Sequence, residues 1–132
     1  MASASTSVAL SSWIWYVDSG ASRHMTVAKD QFTQFSDRQI NLEIELGDES
    51  IVRAVGIGIV SFQRKSLPPL AVSEVLYVPG LRKNLISVST IEDKGYEVTF
   101  RGGQVIMYPK GSSVESGKVI GIRRGRLYRF CF

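Results

Sequence analysis

The segment INLEIEL, residues 40–46, constrains the fold more than any other stretch of the chain. Apolar Ile40, Leu42, Ile44 and Leu46 alternate with Asn41, Glu43 and Glu45. Side chains of a strand point alternately to its two faces, whereas a helix repeats every 3.6 residues, so this segment can gather its apolar groups on one side only as a β-strand. Gly47 and Asp48 then supply a turn, and IVRAV runs back, which predicts a hairpin.

The rest of the chain follows the same logic. WIWYV is a short apolar run of aromatic and β-branched residues, and the returning hairpin strand continues into GIGIVSF, where Gly56 and Gly58 predict bending or close backbone approach. Pro68 and Pro69 precede LAVSEVLYV, and Pro79 and Gly80 end it. YEVTF, QVIMY, KVIGI and LYRFCF are further strands separated by RGG, PKGSSVESG and RRGR turns. The period changes once: NLISVSTIEDKG sets Leu85, Val88 and Ile91 at helical spacing, with Asn84 as the expected N-cap and Gly95 just past the end. About eight strands and one short helix predict an all-β fold, a small closed antiparallel β-barrel.

Composition narrows the class. The 132 residues suffice for one domain with a core of its own, and at 44% hydrophobic and 21% charged no run approaches the roughly 18 apolar residues of a membrane span. Cys131 and His24 are the only residues of their kinds, so a Cys/His zinc site is impossible within the chain, and the five aspartates are scattered; no metal and no cofactor are expected. A single cysteine suits a reducing compartment such as the cytoplasm. Residues 1–12, MASASTSVALSS, read as a flexible leader without the basic region of a targeting signal. The stretch KVIGIRRGRLYRF holds Arg123, Arg124, Arg126 and Arg129 without an acid, and a weak RNA contact through these four is an expectation.

The chemistry centres on WYVDSGASRHMT, residues 15–26. An acid directly after an apolar strand is held by a fixed backbone. The small residues behind it let the main chain curl back: Ser19 offers a hydroxyl, Gly20 can adopt a positive φ, and Ala21 leaves room. One carboxylate cannot both activate water and protonate a leaving amine, but two in close contact share a proton and serve as base and acid together. Asp30, Asp37, Asp48 and Asp93 lack an apolar strand before them and a small-residue turn behind, so the second carboxylate is not in this sequence. A twofold-related copy of Asp18 would supply it.

Taken in order, WYVDSGASRHMT, LEIELGDES, VGIGIV, LYVPGLRKNLISV and GYEVTF resemble the protease region of copia-type retrotransposon polyproteins, a branch of the retropepsin-like aspartic proteases. The resemblance covers residues 13–100, the implied protease core. Residues 101–132 form a C-terminal β extension that looks like the junction toward a pre-integrase segment. The resemblance implies a homodimeric aspartic endopeptidase that processes a retrotransposon polyprotein inside virus-like particles, with water activated between two Asp18 carboxylates. Proton sharing is the established behaviour of such dyads and is taken from them. By the same resemblance Asp18 is the catalytic acid, the Ser19 hydroxyl braces the paired loops, and the Gly20 amide bonds the carboxylate. Ala21 belongs to the substrate site, and Leu46, Gly47, Asp48 and Glu49 form the tip of a flap over bound peptide. The helix from Asn84 to Ile91 buttresses the site.

The sequence departs from the retropepsin pattern in two places: the flap carries one glycine, and the motif before the helix reads PGLRKNL, with Lys83 intruding. Other readings are weaker. Asp-Ser-Gly is also ordinary turn chemistry, and a triad of Ser19, His24 and Asp18 would need one short loop to align all three. His24 reads as a packed structural residue, Phe32 and Phe35 as core cover, Cys131 as a bland apolar residue, and Trp13 and Trp15 as one outward and one inward ring. The rival to the enzyme is a non-catalytic β-barrel interaction or assembly module derived from a retroelement polyprotein.

Overall fold

The structure, a computed structural model, describes residues 13–37 and 40–131. The expected leader and the terminal Phe132 lie outside the described residues. Twelve strands are present among those described: β1 (Trp15–Asp18), β2 (His24–Thr26), β3 (Phe32–Ser36), β4 (Leu42–Glu45), β5 (Ile51–Ala54), β6 (Gly56–Phe62), β7 (Leu70–Tyr77), β8 (Asn84–Ser87), β9 (Tyr96–Arg101), β10 (Gln104–Pro109), β11 (Lys118–Arg124) and β12 (Leu127–Phe130). One α-helix, α1 (Val88–Asp93), sits between β8 and β9.

Ten strands join in one sheet in the order β3-β6-β7-β2-β8-β1-β12-β11-β10-β9, while β4 and β5 pair separately as the predicted hairpin. The edge strands β3 and β9 are not hydrogen-bonded to each other, so the expected closed barrel is replaced by an open sheet. It is also not purely antiparallel: β1 runs parallel to β8, and β2 parallel to β7. The turn from β1 brings β2 back two places away, and the gap is filled by β8, a strand from much later in the chain. No local sequence pattern encodes such an insertion.

Register shows how the layers form. A single cross-strand row runs Ser36, Ile57, Leu76, Met25, Leu85, Tyr16, Arg129, Ile122, Gln104, Arg101, one residue from each strand of the sheet. The apolar members from Ile57 to Tyr16 lie under the β4–β5 hairpin, whose Ile44, Leu46, Val52 and Ala54 close over them. Of the four residues expected to face inward, Ile44 is buried, Ile40 and Leu46 are half-buried, and Leu42, at the open end of the hairpin, is 41% exposed. The polar members lie outside this apolar cluster, Ser36 at the β3 edge and Arg129, Gln104 and Arg101 in the β9–β12 half.

On the opposite face Trp15, Val60, Phe62, Val75 and Ile86 pack together, and Val17, Val88, Val105 and Ile120 continue the core beside them. Ile91 of α1 and Phe130 of β12 touch both groups. The Phe62 ring meets Phe130 edge-on at 5.3 Å, although their strands lie far apart in the sheet order, so the sheet curls around α1 without closing. Trp15 is the inward ring, 2% exposed, and Trp13 the outward one, 69% exposed. Phe32 and Phe35 are half-buried, stacked edge-on with each other and with Tyr77.

Two local details carry weight. Close backbone approach was expected at Gly58, and a Cβ there would lie 1.9 Å from the Gln34 carbonyl oxygen of β3. Asn84 is not a helix cap. It is fully buried in β8, where its side-chain oxygen accepts from Thr26 Oγ1 (2.6 Å) and the Val27 amide (3.0 Å) while its amide nitrogen donates to the Ile14 carbonyl (2.9 Å). The helix begins three residues later than the spacing suggests, capped by Ser87, whose hydroxyl accepts from the Thr90 amide at 3.1 Å. Gly95, at φ +96°, ends it as expected.

Candidate active site

Asp18 ends β1, a central strand paired on one side with β8 and on the other with β12. Its carboxylate Oδ1 accepts a 2.7 Å hydrogen bond from the Gly20 amide, so the turn closes on the acid it follows. Gly20 does not hold a positive φ; its contribution is this amide, and a Cβ there would press to 3.3 Å from the same oxygen.

The loop beyond Asp18 is clamped by the strand and helix that arrive from residues 84–93. The Ser87 hydroxyl donates to the Ala21 carbonyl at 2.7 Å, with longer bonds from Ser89 Oγ to the same oxygen and from Thr90 Oγ1 to Ser22, both 3.4 Å. Ser87 therefore caps α1 and ties down the acid's loop with one oxygen. The Ser87 amide in turn donates to His24 Nδ1 at 2.9 Å. That bond requires an unprotonated Nδ1, and the buried imidazole is held neutral: burial above all, then the nearby Lys94 and Arg23 against an opposing Glu74, lower its pKa to about 4. His24 is thus the structural residue its sequence context suggested.

Two clefts meet at Asp18. The larger, about 590 Å³, lies between the acid's loop and the hairpin, and Asp18, Gly20, Ala21, Leu46, Gly47 and Asp48 all line it. The second, about 380 Å³, opens on the other side, where Ser19 joins Tyr16, Phe100, Arg126, Leu127 and Tyr128. Six of the eight residues singled out from the sequence thus share one cleft, Ser19 faces the second, and Glu49 lines neither. Glu49 instead adopts φ +69° in the hairpin turn, donating its amide to the Leu46 carbonyl. Asp48 accepts from the Ser50 hydroxyl (2.6 Å) and amide (3.1 Å), which hold its carboxyl below the usual range. Apart from Asp18 it is the one acid among the residues lining either cleft, and it is engaged by Ser50 at the hairpin tip.

Comparison with known sequences decides the family. Residues 15–96 match the Pol polyprotein β-barrel domain. The chain belongs to this family. This Pol β-barrel domain is also 34% identical, over 115 residues and 87% of its length, to the retrovirus-related Pol polyprotein from transposon TNT 1-94 of Nicotiana tabacum. The chain spans 8% of that relative. No solved structure matches.

The matched span of the Pol domain reaches from β1 to the first residue of β9, and contains Asp18, its loop clamp and the hairpin. Several cleft residues were not picked out from the sequence: Ser50, Val52, Leu81, Arg82, Lys83 and Leu85. Hairpin register could have found Val52, which pairs with Ile44 and so shares its face. Nothing local announces that the 80–83 loop walls the cleft, because the insertion of β8 beside β1 puts it there. The four arginines of the last hairpin are exposed, and Arg126 alone among them lines a cleft.

Proposed function

We propose that this Pol polyprotein domain is one half of an aspartic endopeptidase that processes the polyprotein from which it derives, inside the retroelement particle. Two copies bring their Asp18 side chains together about a twofold axis. One carboxylate takes a proton from a water that attacks the scissile carbonyl, and the other, protonated, hands its proton on toward the leaving amine. The peptide lies extended in the larger cleft under the β4–β5 hairpin, whose closure excludes water.

One observation carries this reading: an acid held by its own turn at the end of a central strand, where a hairpin-roofed cleft meets a second, open cleft containing Ser19. Incubating the chain and its Asp18→Asn variant with a longer polyprotein fragment, with products read by mass spectrometry and assembly by light scattering, tests it. Cleavage by a dimer and its loss in the variant are expected; equal cleavage by both would reassign the catalyst.

A second reading, the non-catalytic module, is favoured by the C-terminal hairpin. Strand β12 already occupies the edge of β1, and Arg126 and Leu127 wall the cleft on the Ser19 side, from which a partner's loop would approach. A monomer that binds but does not cut the fragment would establish that role.

A further inference from the structure

Three residues line both clefts that meet at Asp18: Asp18 itself, Leu85 beneath it, and Lys83. Lys83 is exposed, and among the described residues it makes no ion pair or hydrogen bond. Its neighbour Arg82 has a counter-charge across the larger cleft, since the field of Arg82 helps to lower the Asp48 pKa at the flap tip. Asp48 is further satisfied by Ser50. Neither cation of the 80–83 loop makes an ion pair among the described residues, but Arg82 lines only the larger cleft, which it shares with Asp48, whereas Lys83 lines both clefts that meet at Asp18, in walls that mix Ala21, Leu46, Val52 and Leu81 with Asp48 and Ser50.

An unpartnered cation on the rim of such a groove is stabilised by whatever anion the groove admits, and the interior of a bound polypeptide, away from its C-terminus, supplies one only through an acidic side chain. We propose that Lys83 sets the sequence preference of the cleft by pairing with an Asp or Glu side chain of the bound peptide adjacent to the bond that faces Asp18, with apolar residues filling the rest. This deepens the proposed function and rests on its peptide-binding cleft. It also gives a role to the lysine that interrupts the retropepsin pattern in PGLRKNL. The pair is solvent-accessible, so its effect is modest: about fivefold in affinity, the usual ceiling for an exposed ion pair, and it weakens as salt is added.

The test separates selection from chemistry. Binding of short apolar peptides that differ only in carrying Glu, Gln or Lys near the centre is measured by fluorescence anisotropy on the full Asp18→Asn chain, with and without Lys83→Glu. In parallel, the chain with Asp18 intact is given a randomised peptide library and its products are sequenced. The Glu peptide is expected to bind about fivefold more tightly than the Gln peptide at low salt, and Lys83→Glu to transfer the preference to the Lys peptide. Selective binding without cleavage would uphold the role of Lys83 and remove the protease reading. Cleavage or binding with no preference for acids, a preference untouched by Lys83→Glu, or no peptide binding at all would overturn the inference.

Discussion

Lowering the pH should loosen this domain through one side chain. His24 is 4% exposed, accepts the Ser87 amide on Nδ1, and has its pKa lowered from 6.5 to about 4. The unfolded chain takes up a proton near pH 6.5 and the folded chain does not until near pH 4. Stability is therefore complete above the unfolded value, falls as pH drops through the window between the two, and levels off below it. A difference of about 2.5 units at ~1.4 kcal/mol per unit gives a loss of roughly 3 kcal/mol across that window. Asp48 and Glu74, whose pKa values are also lowered, lose stability at more acid pH, as they protonate. Comparison with His24→Gln, which keeps a side-chain acceptor but does not titrate, isolates the histidine. Urea unfolding from pH 7.5 to pH 4 should show the wild-type chain losing about 3 kcal/mol more than the variant. Parallel curves for the two proteins would refute the account of a neutral, buried His24. The consequence reaches the candidate site, because protonation breaks the bond to Ser87, which also holds the Ala21 carbonyl behind Asp18.

Other outcomes follow from named contacts. Asn84→Ala should cost about 3 kcal/mol in chemical unfolding, because Thr26, Val27 and Ile14 lose a buried partner. Gly58→Ala should cost at least about 2 kcal/mol, since its new methyl meets the Gln34 carbonyl of β3 and the two strands must separate. Ser87→Ala should lower thermal stability by about 1 kcal/mol through the lost helix cap, and reduce peptide cleavage further by releasing the Ala21 loop. Cleavage should be fastest below neutral pH, where a proton persists on the dyad; a rate still rising through pH 9 contradicts proton sharing.

What the sequence disclosed, and what it did not, divides along a physical line. The β4–β5 hairpin, the β9–β12 meander and the Gly95 helix stop are written in patterns spanning a few residues, and all are present. Strands β2 and β3 escaped notice: β2 is short and entirely buried, so it has no alternation to read, and β3 has no fully buried residue. Asn84 looked like a cap because a polar residue before an apolar run usually is one. Here tertiary structure overrode that preference, since a buried Asn tying β8 to β2 and to Ile14, just before β1, contributes more than a cap. Closure of the barrel could not be read either, because whether edge strands meet depends on the curl of the whole sheet. At the site, the acid and its turn were legible since they are contiguous. The clamp from Ser87 and the cation of Lys83 were not, because they reach Asp18 only through the parallel pairing of β8 with β1.

The central claim is that the working site holds one Asp18 from each of two chains. A fixed amount of wild-type chain is titrated with increasing Asp18→Asn chain, and cleavage of the polyprotein fragment is followed. Mixed dimers carry a single carboxylate, so activity should fall toward zero as the variant comes into excess. Activity that stays constant throughout the titration would mean that each chain cuts alone, and would contradict the claim.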